Sequence, residues 1–398
     1  MKRRKLLIAL MLLLFGVSGC SRNAQSTGQN ETGEINTQTS DQDIKEESEK
    51  VAEVYQDIYE EAIKKNTLGS LEVTQNIVDR LGEYGYTAID TENQNQVDMI
   101  HPEVVEEFCK KVDEKQAGKV TFFSIMQSGG FIRFDLETYE GKVNVTRSVL
   151  NWDDNMPQVG YKDNYEAYNW EYSENGYLFF DEYLPPGYDG APGYTAVRVK
   201  PLDKECREMN RRYILPIGYD ANNMFIQDWK EDDFQSLNFY DLFDILYPYV
   251  YKTSIPYEKS VEGEIYRVPR EEFEKVIKSY FKIDSESLQD KTDYSKQDQR
   301  YKYRTRGFYD DASSPNIPYP EVIAYEENAD GTMKLTVNVV WPEKHLEKAF
   351  CHEVVIRPLS DGGFQYVSNH VIPSEKNVEP AWYTEKFTEE EWKEIYGE

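Results

Sequence analysis

Cysteine and histidine are scarce in this chain of 398 residues, four of each, and basic side chains fall well short of acidic ones, 45 against 73. No apolar run beyond Phe15 approaches the roughly 20 residues that a membrane-crossing helix needs. Each shortage closes a class of function. Cys109, Cys206 and Cys351, the cysteines after Cys20, allow one disulfide at most, so a hydrophobic core and not a disulfide framework must hold the fold. The formal charge of −28 repels phosphate backbones, which speaks against nucleic acid, and favours cationic or neutral partners. No Gly-x-Ser-x-Gly, His-Glu-x-x-His, phosphate-binding loop or dinucleotide fingerprint occurs, and no cofactor is implied.

What is present begins with an export signal. Lys2-Arg3-Arg4-Lys5 precedes an apolar stretch from Leu6 to Phe15, which ends on Val17-Ser18-Gly19 and Cys20. A basic start, a short apolar run and a small-residue exit make a secretory signal peptide. Val17-Ser18-Gly19-Cys20 resembles the lipobox of bacterial lipoproteins, in which cleavage before the cysteine is coupled to acylation of its thiol. The expectation is a signal peptide over residues 1–19 and a lipid of palmitate type on Cys20, at the extracytoplasmic face of the cell membrane. Cleavage leaves 379 residues and removes Lys2, Arg3, Arg4 and Lys5, taking the formal charge to −32. Each buried lipid methylene contributes about 0.8 kcal/mol, so two or more chains anchor stably where one does not.

Residues 20–43 hold the lipidated cysteine and a run of Ser, Thr, Asn, Gln, Gly and Glu that reads as a disordered tether. Helical spacing then covers Ile44–Lys65, Leu71–Leu81 and Glu103–Lys115. The period changes to two over Lys119–Met126, Phe131–Thr138 and Lys142–Leu150. In the middle run Phe131, Arg133, Asp135 and Glu137 oppose Ile132, Phe134 and Leu136, the alternation of a sheet with one wet face. Asn175-Gly176 joins two further strands, Asn169–Ser173 and Tyr177–Tyr183, as a hairpin, and Tyr194–Lys200 adds another. Helices follow over Leu202–Arg211 and Phe234–Tyr247, the latter ended by Pro248.

Proline and turn residues over Lys252–Tyr266 mark a domain boundary. After it, Pro269 opens a helix with Glu271, Glu272 and Glu274 in its first turns, where proline and carboxylates are favoured. A polar connection covers Asp284–Pro320. Strands read Glu321–Glu326, Met333–Trp341, Phe350–Arg357 and Gly363–Val371, and Glu389–Tyr396 reads as an acidic helix. The expected fold class is α+β in two domains, 44–251 and 252–398, each with helices followed by an antiparallel meander.

Several segments also carry a likeness: Ser70-Leu71 through Gly85-Tyr86, Glu106 to Val112, Ser128-Gly129-Gly130-Phe131 and Asn210 through Met224. Phe239 to Asp244, Pro269 to Glu274, Asp330 to Val340 and Tyr366-Val367-Ser368-Asn369 extend it. Together they resemble a family of uncharacterised lipoproteins from gut-type Gram-positive bacteria, over most of the chain after Leu68. That family is a domain of unknown function. The resemblance implies the surface of a single-membrane cell and no particular activity.

Tyrosine is abundant, 31 residues, and suits sugar or peptide sites because it offers stiff area with a polar tip. Trp152, Tyr161, Tyr165, Tyr168, Trp170 and Tyr172 crowd one connection and the hairpin after it, and Tyr183, Tyr188 and Tyr194 flank the Pro185-Pro186-Gly187 turn. This is the candidate ligand site. The competing reading is a loop pinned by its own aromatics. His345-Leu346-Glu347 with Cys351-His352 is the densest set of metal-ligand types, but neighbours on a strand face opposite ways, and no metal is expected. Ser279-Tyr280-Phe281-Lys282 lacks the partner motifs of an acyl-enzyme, and Asp153-Asp154-Asn155 lacks calcium-loop spacing. No catalytic residue is nominated. The leading expectation is a non-catalytic module that binds wall glycan, peptide or an envelope protein; an envelope hydrolase with paired carboxylates and a transporter's solute receptor are the alternatives.

Mass spectrometry of the chain made in its own host should find Cys20 N-terminal and carrying a diacylglyceryl group. An unmodified Cys20 or a retained leader would overturn the assigned compartment.

Overall fold

The computed structural model describes residues 41–91, 96–188, 190–310, 316–387, 391 and 393–394. The expected signal peptide, Cys20 and most of the expected tether lie outside the described residues, as does most of the expected helix at 389–396.

The chain opens with helices α1 (Asp41–Lys65) and α2 (Leu71–Glu83), a short strand β1 (Ala88–Asp90) and helix α3 (Pro102–Asp113). Ser70 starts α2 by accepting the Val73 N–H at 3.3 Å, and Pro102 opens α3, where a missing N–H costs nothing. Four long strands follow: β2 (Gly118–Ile125), β3 (Phe131–Tyr139), β4 (Lys142–Asp153) and β5 (Met156–Glu166). They form one sheet in the order β1-β2-β3-β4-β5, with β1 parallel to β2 and the rest antiparallel. A second sheet is the meander β6 (Asn169–Tyr172), β7 (Tyr177–Asp181) and β8 (Tyr194–Arg198).

Register explains the layering. Phe123, Ile125, Phe131 and Leu150 face one way and cluster with Val51, Tyr55, Tyr59, Ile77 and Leu81 of α1 and α2. Phe122, Phe134, Leu136 and Val145 face the other way and cluster with Phe108 of α3 and with Leu178, Phe180 and Val197 of the second sheet. The first sheet is therefore covered on both sides over its centre, and a wet face survives at the Lys119, Glu137 and Asn144 end of its α1 side. Arg133, expected on one, lies beneath α1 with 4% exposure. It is tolerated because Asp135 takes its Nε at 2.8 Å and its Nη2 at 2.9 Å, and Glu47 of α1 takes Nη2 at 2.8 Å, so the buried charge is paired.

Helix α4 (Lys204–Met209) runs into a π turn at Asn210–Ile214, and β9 (Trp229–Lys230) precedes α5 (Phe239–Tyr251). Pro248 lies inside α5, not at its end, on the exposed side. Then come β10 (Ile265–Pro269), α6 (Arg270–Tyr280), α7 (Ser285–Asp290), β11 (Tyr294–Ser295) and β12 (Arg300–Arg304). The expected polar connection 284–320 thus contains a helix and two strands, and β10-β12-β11 is a third sheet. The fourth is β13 (Tyr319–Glu327), β14 (Met333–Val340), β15 (Cys351–Pro358) and β16 (Phe364–Val371), closed by β9. The architecture is mixed α+β.

Phe239, Leu242, Phe243 and Leu246 of α5 and Trp229 of β9 share one hydrophobic cluster with Phe273, Ile277, Tyr301, Val337 and Tyr366. Elements up to β8 supply the other large clusters. A small cluster, Tyr177, Phe179, Ala196, Tyr319 and Val340, bridges the two groups. Arg198 of β8 pairs with Glu321 of β13 at 3.1 Å, both nearly inaccessible, and the Tyr177 hydroxyl donates to the same carboxylate. The Arg198 guanidinium sits 5.0 Å from the Tyr177 ring.

Glu321→Gln would leave the Arg198 charge uncompensated in this bridge and should cost about 3 kcal/mol of stability in denaturant unfolding. A loss near zero would remove the pair from any part in joining the two groups of elements. A second expectation concerns Asp90 at the end of β1. It lines a cavity of about 60 Å³ with Gly69, Thr74, Gln96 and Gln127; its Oδ2 accepts the Gln96 N–H at 2.8 Å and its Oδ1 has no hydrogen bond among the described residues. Burial raises this carboxyl to about 7, so the folded chain holds a proton that the unfolded chain releases above about pH 4. The stabilisation by the protonated form is full at low pH and is lost as pH rises through 7. Asp90→Asn cannot ionise, so its melting temperature relative to the parent should rise between about pH 5 and about pH 8. A difference independent of pH would refute the raised value.

Candidate functional site

The aromatic stretch is not a loop. Its first half is β5, joined to β4 by a tight turn in which Asp154 and Asn155 take φ of 46° and 61°, a conformation Asp and Asn tolerate. A bulge at Val149/Leu150 shifts the register so that Tyr161 pairs with Val149 and Tyr165 with Val145. Tyr161, Asp163 and Tyr165 therefore share the sheet face that carries Arg147. β5 and β6 are edge strands of their two sheets, each hydrogen-bonded on one side, to β4 and to β7.

The candidate residues divide into two sets. Trp152, Tyr165, Trp170 and Tyr172 turn inward. The Trp152 ring stacks on Tyr59 at 4.2 Å and donates its Nε1–H to the Gly129 carbonyl at 2.8 Å. Trp170 stacks on Phe180 and meets Phe108 edge-on. The Tyr172 hydroxyl donates to Glu106 at 3.3 Å. Tyr165 packs against the second cluster with its ring 5.8 Å from the Arg147 guanidinium, and burial pushes its hydroxyl upward. These four pin the segment.

Tyr161, Tyr168 and Tyr188 turn outward, and Tyr183 joins them; Tyr168 is 65% exposed and Tyr161 50%. Tyr168 and Tyr183 lie 5.3 Å apart at 58°. Tyr161 covers Arg147 at 5.6 Å and donates to Asp163 at 3.2 Å. Arg147 also meets Glu182 at 3.2 Å, the residue before Tyr183. Tyr161, the Arg147 cluster, Tyr183 and Tyr168 thus form one continuous surface along the β5–β6 edge. Burial, then the nearby Asp163, raises the Glu182 carboxyl, while Arg147 opposes the shift. Tyr188 sits on the adjoining turn. Tyr194, by contrast, bonds Asn316 at 3.2 Å.

The other sequence candidates serve packing. His352 is buried, hydrogen-bonded to Tyr219 and Asn369 at 2.8 and 2.7 Å, and burial lowers it to about 4. His345 bonds Asp181 at 2.6 Å and stacks on Phe179, and Glu347 accepts from Ser173 and Asn175. No group of three metal-ligating side chains occurs among the described residues. Ser279 bonds back to the Lys275 carbonyl within α6. Paired carboxylates do occur, on α5. Asp241 is held by Arg306 at 2.8 and 2.9 Å and by Lys386 at 3.2 Å, and Asp244 accepts from Tyr303. This cluster is interior, strapped by Thr384 and Phe387, whose carbonyls bond Arg306 and Arg304.

No helix among the described residues is long and apolar enough to cross a membrane. No curated protein and no solved structure matches the chain. Residues 41–386 match the model of a family of unknown function, DUF6070. The match spans all four sheets and all seven helices listed above, and the chain belongs to the DUF6070 family.

Proposed function

We propose that this protein is an extracytoplasmic lipoprotein, held to the membrane by lipid on Cys20, that acts as a non-catalytic binding module. Its ligand-facing surface is the β5–β6 edge with Tyr161, Tyr168, Tyr183 and Tyr188, and its ligand is an extended peptide segment of an envelope partner. One observation carries this reading: Tyr161 on the edge strand β5, Tyr168 in the link to the edge strand β6, and Tyr183 and Tyr188 in the connection after β7 are all exposed beside two edge strands that have a strand on one side only. Such an edge can take an added strand by main-chain hydrogen bonds, while flanking side chains set specificity. Lys162, Asp163 and Glu166 along β5 are the charges that keep an open edge from pairing indiscriminately.

The leader ahead of Cys20 and the polar run that follows support the anchored compartment. We further read the chain as two units, divided near residue 200, because the hydrophobic clusters separate there and not at residue 252. A hydrolase with paired carboxylates has less support: Asp241 and Asp310 are neutralised by Arg306 and Arg304 and are inaccessible.

Peptide and muropeptide arrays probed with the chain lacking its first 20 residues test the reading. Extended peptides should bind, and Tyr161→Ala with Tyr168→Ala and Tyr183→Ala should weaken them roughly tenfold at unchanged melting temperature. Trp170→Ala should instead destabilise the fold, by about 3 kcal/mol. Binding that survives the triple change, or capture of sugar chains alone, would sink the peptide assignment.

A further inference from the structure

We infer that a groove beneath the first half of α1, on the sheet face opposite Tyr161, is a binding site for a small aromatic carboxylate. The groove encloses about 410 Å³, inside the range of about 300–1,000 Å³ that small-molecule sites occupy. Phe123 of β2 is its floor, and Tyr86 meets Phe123 edge-on at 5.7 Å and 86°, which makes an aromatic corner. Val104 of α3 closes one rim, Lys50 of α1 another, and Thr87 and Arg133 complete the lining. Gly85 stands at the mouth with φ of 84°, and a side chain added there would meet nothing.

The unengaged groups choose the ligand's head. Asp135 is fully engaged by Arg133 and Thr121, and Glu47 gives one oxygen to Arg133 and is otherwise in water. Donors are what remain. Lys50 has no ion pair or hydrogen bond among the described residues. Arg133, 5% exposed in its side chain, uses Nη1 only in a long 3.4 Å contact to the Ile44 carbonyl, so one Nη1–H is without an acceptor. The Tyr86 and Thr87 hydroxyls make no hydrogen bond among the described residues. A flat apolar body fits the corner of Tyr86 and Phe123, since aromatic rings gain from offset and edge-to-face contacts. A carboxylate offers two acceptor oxygens to an ammonium and a guanidinium N–H, the strong kind of hydrogen bond. The chain's net negative charge adds long-range repulsion, so recognition rests on these local donors.

Nuclear magnetic resonance titration of the mature chain with phenylacetate, cinnamate, octanoate and phenylacetamide tests the site. Phenylacetate and cinnamate should bind and shift the amides of Lys50, Tyr86, Val104 and Phe123. Phenylacetamide, with the same ring and no charge, should bind at least about tenfold more weakly. Lys50→Met on the exposed face of α1 should cost a similar factor, and Val104→Trp at the rim should block binding by filling the groove. Both variants should melt like the parent. Loss of Tyr161, Tyr168 and Tyr183 should change nothing here, which separates this site from the peptide edge. The inference falls if no carboxylate binds, if phenylacetamide or octanoate binds as well as phenylacetate, or if binding survives Val104→Trp.

Discussion

A tyrosine ring fills a core most favourably where its hydroxyl finds a partner, because an unpaired buried hydroxyl costs about 1–3 kcal/mol. This fold is built around that condition. Six tyrosines are among its largest fully buried side chains, and each is hydrogen-bonded. Tyr55 donates to the Gly129 carbonyl at 3.0 Å and Tyr366 to the Tyr213 carbonyl at 2.6 Å. Tyr177, Tyr301 and Tyr303 donate to Glu321, Glu274 and Asp244, and Tyr219 pairs with His352. Two features that look unrelated in the composition, abundant tyrosine and abundant acid, meet in these pairs.

The carboxylates brought in by tyrosine, and Asp241 one helical turn from Asp244, then need cations, and this fixes where several of the scarce basic residues go. Burial pushes Glu274 up, but Lys278, Ser285, Tyr301 and Arg270 together hold it at about 2. Glu321 takes Arg198, and Asp241 takes Arg306 and Lys386. The buried polar network is therefore a chain of obligations that runs from ring to carboxylate to guanidinium. Breaking any link leaves a charge in low dielectric, which costs more than the pair itself contributes. Arg133 follows the same rule beneath α1, where Asp135 and Glu47 flank it.

Much of the fold was legible in the sequence where one period dominates. The helices now numbered α1 to α3 and the strands β2, β3, β4 and β13 to β16 were all anticipated, to within a few residues, from spacing alone. What escaped has identifiable causes. β5 is an edge strand whose residues are mostly exposed or half-exposed, so its apolar alternation is faint. β12 reads Arg300-Tyr301-Lys302-Tyr303-Arg304, and its charges hid an alternation in which Tyr301 and Tyr303 are the inward positions. α5 packs forward onto α6, and no local signal reports which partner a helix chooses. Tyrosine in the candidate site was legible as a concentration but not as a direction: Trp170 and Tyr168 are two positions apart, one inward and one outward.

The groove was invisible for a stronger reason. Lys50, Tyr86, Val104, Phe123 and Arg133 come from four different elements and the turn before β1, so no window of sequence contains the constellation. The groove and the tyrosine edge lie on opposite faces of the first sheet, and one element touches both regions. The first half of α1 supplies Glu47, Lys50 and Val51 to the groove, and its Asp41 pairs with Lys162 on β5. That half ends at Tyr55, whose φ of −121° interrupts the helix without a proline or glycine to cause it; the Tyr55 hydroxyl bonded to Gly129 and the ring packed edge-on to Trp152 are the contacts present at the kink. A ligand in the groove braces the segment before the kink, and α1 meets the edge strand through packing and through the Asp41–Lys162 ion pair, a contact worth about 1 kcal/mol at most. Energetic coupling between two sites cannot exceed the differential interaction that transmits it. The share of any coupling that runs through this ion pair can therefore change affinity at the proposed edge by no more than roughly fivefold.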